Sequence, residues 1–115
     1  MKNFHTFTMM LPDYLRQELD VSLVETLMLM KTYDIVKYTN SEYYVFRSKT
    51  AKAFWGISKA TMFRYIENLI AKGFLMKNPN VLGEYKTTKK FNNILAQYLQ
   101  GIEVDNQYRN ALRAV

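Results

Sequence analysis

Gly56 is the residue that most narrows what this 115-residue chain can become. Before it, Ala51 and Trp55 lie one helical turn apart; after it, Met62, Ile66 and Leu69, flanked by Tyr65 and Ile70, form an apolar stripe at helical spacing. A left-handed backbone costs least at glycine. Two residues on, Ser58 is a good N-cap, because its hydroxyl can accept an orphan amide of the helix that follows. Ile57 can plug the angle between the two segments. The pattern predicts two helices meeting at a tight turn, with Lys59, Ala60, Thr61, Phe63, Arg64, Glu67 and Asn68 facing outward.

The chain on either side adds a small sheet and further helices. Downstream, Ala71-Lys72-Gly73 ends the second helix, with Gly73 placed as its C′ residue. Phe74–Lys77 reads as a strand, residues 78–83 as a loop and Glu84–Thr87 as a returning strand. Tyr43–Phe46, aromatic and β-branched, reads as the third strand. Upstream, Ser22-Leu23-Val24-Glu25 has the form of a capping box and opens a core helix running to about Tyr38. Leu23, Leu27, Met30 and Asp34 lie on one line, with Val24, Met28 and Ile35 beside it, so its apolar surface is wide. Phe4–Leu11, with Phe7, Met9 and Leu11 on one alternation, reads as extended. Leu11-Pro12-Asp13 then reads as the start of a short helix through Tyr14, Leu15, Glu18 and Leu19. Phe91, Ile94, Leu95, Tyr98 and Leu99 follow the spacing of a one-faced helix ended by Gly101, and residues 105–114 read as a further short helix.

The run SKTAKAFWGISKATMFRYIENL, residues 48–69, resembles the helix-turn-helix of bacterial DNA-binding regulators, including those of plasmids and phages. The strand, loop and strand behind it resemble the wing of winged-helix proteins, and IENLIAKGFL is typical of their helix-to-wing junction. The likeness spans about residues 22–90. Lys52 departs from it, since the pattern prefers alanine at that crowded position, although a lysine stem can lie along an apolar surface. The resemblance implies one domain over residues 1–115, mainly α with a small β-wing (α+β): a winged helix-turn-helix with extra N- and C-terminal helices.

The resemblance also implies how such a chain meets double-stranded DNA. The helix Ser58–Lys72 would enter the major groove. Arg64 would pair with guanine and Lys59 with guanine or phosphate, while Ala60 and Thr61 would approach a thymine methyl and Asn68 would share their face. Phe63 suits a thymine methyl, the core or a protein interface. Lys77, Asn80 and Lys86 would reach the minor groove or backbone, and Arg47, Lys49, Lys89 and Lys90 the phosphates. The terminal elements, residues 89–114 above all, are expected to form a homodimer that sets two recognition helices about one DNA turn apart.

Charge and composition favour a polyanionic partner. Sixteen Lys and Arg face ten Asp and Glu, a formal net charge of +6. Residues 43–92 hold ten of the bases against Glu67 and Glu84 alone, whereas residues 1–42 hold four against six acids. Such a one-sided block suggests a footprint for phosphates. With no cysteine and a single histidine, His5, the chain cannot assemble a thiolate metal site, a cysteine nucleophile or a His-based triad. No phosphate-cradling glycine loop appears among four glycines, so an enzyme is the weakest reading and neither metal nor cofactor is expected. No stretch approaches the roughly 18–20 apolar residues of a membrane helix, and a cytoplasmic protein is expected. Three functions remain open. They are a DNA-binding transcription regulator, a plasmid or phage partition adaptor or replication-initiation protein, and a winged-helix module that binds another protein partner.

Overall fold

The computed structural model describes residues 2–100, with side-chain surroundings from residue 11 onward. Helices α1 (Lys2–Leu19) and α2 (Leu23–Tyr38) come first, followed by strand β1 (Tyr44–Val45). Helix α3 (Ser48–Thr50) runs directly into a π-helical turn, Ala51–Trp55. After Gly56 come α4 (Lys59–Ala71), the hairpin strands β2 (Leu75–Lys77) and β3 (Glu84–Thr87), and a last helix, α5, over residues 89–100. The fold is mainly helical with one three-stranded antiparallel sheet of order β1-β3-β2. No described helix is long and apolar enough to cross a membrane. The expected helix at 105–114, the end at Gly101 and the dimer-forming terminus beyond residue 100 lie outside the described residues, as does the side chain of His5.

The N-terminal segment corrects the extended reading of Phe4–Leu11. It is helical, and Pro12 sits inside α1 rather than at its start. Phe7 and Leu11 are two alternations apart and also one helical turn apart, so the same residues satisfy both periods. Leu11, Leu15 and Leu19 continue the four-residue line, and Leu15 and Leu19 are buried. Burial along that line outweighs the missing amide of one proline. Asp20, at φ 55°, ends α1, and the Val21 amide donates to the Arg16 carbonyl at 3.1 Å.

Helix α2 opens on the expected capping box. The Ser22 hydroxyl accepts the Glu25 amide at 3.2 Å, while a Glu25 carboxylate oxygen accepts the Ser22 amide at 3.1 Å. The buried face, however, is not the one its apolar residues suggest. Glu25, Thr26, Met28, Leu29 and Thr32 turn inward, Leu23 is 45% exposed and Asp34 lies on the surface. Two threonines can occupy the core because each hydroxyl donates back to its own helix: Thr26 to the Ser22 carbonyl at 3.1 Å and Thr32 to the Met28 carbonyl at 2.8 Å. Satisfied that way, a threonine packs much like valine.

The core runs from α1 and α2 across to α4, the sheet and α5. Leu15, Met28, Leu29, Met62, Ile66, Leu69, Leu75 and Phe91 are all buried within it. Register decides which side of the sheet joins in. Leu75 pairs with Thr87, and Tyr85 with both Lys77 and Tyr44, so Tyr85 and Thr87 face inward. Tyr85 meets Phe46 at 5.7 Å between ring centroids, and Phe46 in turn lies 4.9 Å from Tyr44, edge to face. Val45, Glu84, Met76 and Lys86 fall on the opposite, partly exposed side.

Candidate nucleic-acid interface

Gly56 takes the left-handed conformation that the turn demands, φ 65° and ψ 25°. A Cβ there would meet no atom within 4 Å, so the backbone angle rather than crowding calls for glycine. Ahead of it Ala51 is fully buried, and Trp55 is half-buried beside Phe46, 6.4 Å away between ring centroids. Ser58 caps α4 by accepting the Thr61 amide at 3.2 Å. At the other end, the Gly73 amide donates to Ile70 and the Phe74 amide to Leu69, each at 3.0 Å, with Gly73 at φ 83°. That closure leaves α4 capped at both ends.

Met62, Ile66 and Leu69 bury one side of α4, and Lys59, Ala60, Phe63, Arg64, Glu67 and Asn68 are exposed on the other, with Thr61 half-buried between. Phe63, at 44% exposure, belongs to this surface and not to the core. The Arg64 guanidinium lies 5.7 Å from the Tyr65 ring centroid, which steadies the side chain without occupying its hydrogen-bond donors. Thr61 is less free, because its hydroxyl accepts from that of Ser58 at 3.1 Å. Asn68 is committed elsewhere: its side-chain amide donates to Glu25 at 2.6 Å, tying α4 to the start of α2.

Phe54 is a surface residue that the sequence pattern left out. It is 80% exposed, immediately before Trp55. The i→i+5 turn over Ala51–Trp55 is wider than an α-turn, so it keeps Trp55 near the line of Ala51 and swings Phe54 away. Two adjacent aromatics on a short helix were the available signal, since both could not face one neighbour. Lys52, on the same turn, is exposed, so the departure from alanine is accommodated by solvent.

The remaining sequence-assigned bases divide into groups. Arg47 and Lys49 are exposed at the start of α3, and Lys77 and Asn80 are exposed on the β2–β3 hairpin. That hairpin is well fixed. The Asn78 amide donates to the Glu84 carbonyl at 2.8 Å, its side chain bonds Glu84 at 3.2 Å, and the Asn80 amide donates to Asn78 Oδ1 at 3.0 Å. Its tip presents Leu82, 98% exposed. Lys90 is used within the fold, with its ammonium donating to the Lys72 carbonyl at 3.1 Å and lying 4.9 Å from the Phe74 ring centroid. Lys86 and Lys89 line a groove together with Lys37 of α2, and no residue of α4 is among those lining it.

No protein-family model, curated protein or solved structure matches this chain. Among the described residues, no group of three His, Asp or Glu is arranged to hold a metal ion. What the α4 surface offers is a capped, rigid helix whose outer side carries Lys59 and Arg64 beside small residues and one exposed aromatic.

Proposed function

We propose that this chain is a sequence-specific double-stranded DNA-binding protein of winged helix-turn-helix type, acting as a homodimeric transcription regulator. The observation that carries the reading is the pair formed by the Gly56 turn and α4. A left-handed glycine and a serine cap set out a helix whose buried stripe faces the core and whose opposite side presents Lys59, Ala60, Thr61, Phe63 and Arg64. In this reading α4 lies in the major groove and Arg64 reads guanine through a bidentate contact. Arg47, Lys49 and Lys77 hold the phosphates, and the 78–83 loop approaches the neighbouring groove with Asn80. Asn68 acts from behind, fixing α4 through Glu25 instead of reading a base.

Selection from a randomised duplex pool tests this. A single enriched two-fold or repeated motif supports a dimeric site-specific binder. A tandem array of sites would favour the partition-adaptor or replication-initiation reading over a regulator. Exposed Phe54 and Phe63 favour a second class, a protein-interaction module, and no enriched motif together with affinity insensitive to salt would select it.

A further inference from the structure

We infer that the groove between the last turns of α2, the outer side of the β2–β3 hairpin and the start of α5 binds a small phosphate-bearing molecule with a flat apolar body. This inference does not depend on DNA binding by α4. Lys37, Lys86 and Lys89 reach the groove from three different elements, while Tyr33, Val36 and Met76 supply its apolar wall. Its volume of about 440 Å³ falls in the range of roughly 300–1,000 Å³ typical of small-molecule sites. No aspartate or glutamate is among the residues that line it.

Three lysines lining one opening, with no carboxylate among the lining residues, concentrate positive charge there, and an anion seated between them lowers its repulsion. The neighbouring lysines show the contrast. Lys72 lies 3.6 Å from the Asp20 carboxylate, and Lys90 is satisfied by a backbone carbonyl. In the groove Lys37 and Lys86 contact neutral groups, while the Asp34 carboxylate, outside the lining, acts on Lys37 from the same helix. Lys37 donates to the Tyr33 hydroxyl at 3.0 Å, and Lys86 lies 5.1 Å from the Tyr43 ring centroid. The hydrogen bond from Lys37 to Tyr33 holds that ammonium above its ordinary pKa. The Thr87 hydroxyl donates to Asn92 Oδ1 at 2.7 Å, which orients the Asn92 carboxamide with its amino group as the remaining donor. A phosphate monoester offers several acceptor oxygens to such donors, and a ring attached to it would lie against Val36 and Met76.

The same phosphate chemistry could come from a duplex backbone, so the experiment separates the two sources. Phenyl phosphate is titrated into the full chain and followed by amide chemical shifts. Expected are saturable shifts confined to residues around the groove, with a dissociation constant on the order of 1 mM or tighter. Inorganic phosphate and phenol, each carrying half of the probe, should bind at least about tenfold more weakly. Lys86→Gln combined with Lys89→Gln should weaken phenyl phosphate about tenfold or more, and saturating duplex DNA should leave the phenyl phosphate shifts in place. Val36→Glu, which puts a carboxylate beside the lysines, should abolish binding. The inference is overturned by shifts that do not saturate or that spread over all surface lysines. It is equally overturned if duplex DNA displaces phenyl phosphate from the groove, which would assign the groove to the DNA backbone.

Discussion

Glu25 is 5% exposed, yet its carboxylate serves three donors: the Ser22 amide at 3.1 Å, the Ser22 hydroxyl at 2.9 Å and the Asn68 side-chain amide at 2.6 Å. It closes the N-terminus of α2 and, across 43 residues of chain, holds α4 in place. Glu25→Ala removes the reciprocal half of a capping box, worth about 0.5–2 kcal/mol. It also removes a charge-assisted hydrogen bond worth about 1.5–3 kcal/mol. Water reaches exposed Asn68 once its partner is gone, so the lower half of that second range applies. The expected loss is therefore about 2–4 kcal/mol, and Asn68→Ala alone should cost about 1 kcal/mol. Urea denaturation followed by circular dichroism gives both values. The double variant should be less destabilised than the two singles combined, with a coupling of about 1 kcal/mol, as expected for partners in contact. Additive losses, or a Glu25→Ala loss below about 0.5 kcal/mol, would refute the claim that this carboxylate fixes α4.

Further outcomes follow from the same geometry. Gly56→Ala should cost about 1–2 kcal/mol from the left-handed backbone alone, since its Cβ meets nothing, and Gly56→Asn less, as thermal melts would show. Leu29→Ala, at a fully buried position, should cost about 2–5 kcal/mol in urea titration. Burial raises the phenol pKa of both Tyr44 and Tyr85 above the ordinary 10.0, with the Glu67 carboxylate adding to the effect at Tyr85 and Arg47 opposing it at Tyr44. The folded state thus keeps these phenols protonated longer than the unfolded chain does. Their contribution is fully present below pH 10.0 and is lost as pH rises through the raised folded values. Melting temperature should therefore fall on the alkaline side of that point, and less steeply for Tyr44→Phe combined with Tyr85→Phe. Lys49→Ala should weaken specific and scrambled duplexes alike and reduce the salt slope by about one unit.

Much of the local architecture was legible because short-range chemistry wrote it. Gly56, Ser58 and Gly73 each mark a backbone position whose angle or orphan amide has few alternative solutions, and Glu84–Thr87 is bounded by turn residues on one side and a helix cap on the other. The N-terminal helix was not legible in this way, since Phe7 and Leu11 fit both periods and Pro12 suggested a start. In α2 the inward face could not be read from apolarity, because Thr26 and Thr32 hide their hydroxyls inside the helix. The commitments of Asn68 and Lys90 depend on partners distant in sequence, Glu25 and Lys72, so nothing near either residue announces them. Convergence of Lys37 with Lys86 and Lys89 is likewise a product of tertiary packing.

The central claim, that α4 reads DNA, is tested most directly by one titration series. Affinities of the native chain and of Arg64→Ala are measured against a selected duplex and a scrambled control at several salt concentrations. The account predicts that native affinity falls by roughly 10³-fold or more between about 50 and 200 mM salt. It also predicts that Arg64→Ala loses about 1–3 kcal/mol on the selected duplex and little on the control. A flat salt response, or an Arg64→Ala variant indistinguishable from the native chain on both duplexes, would contradict it.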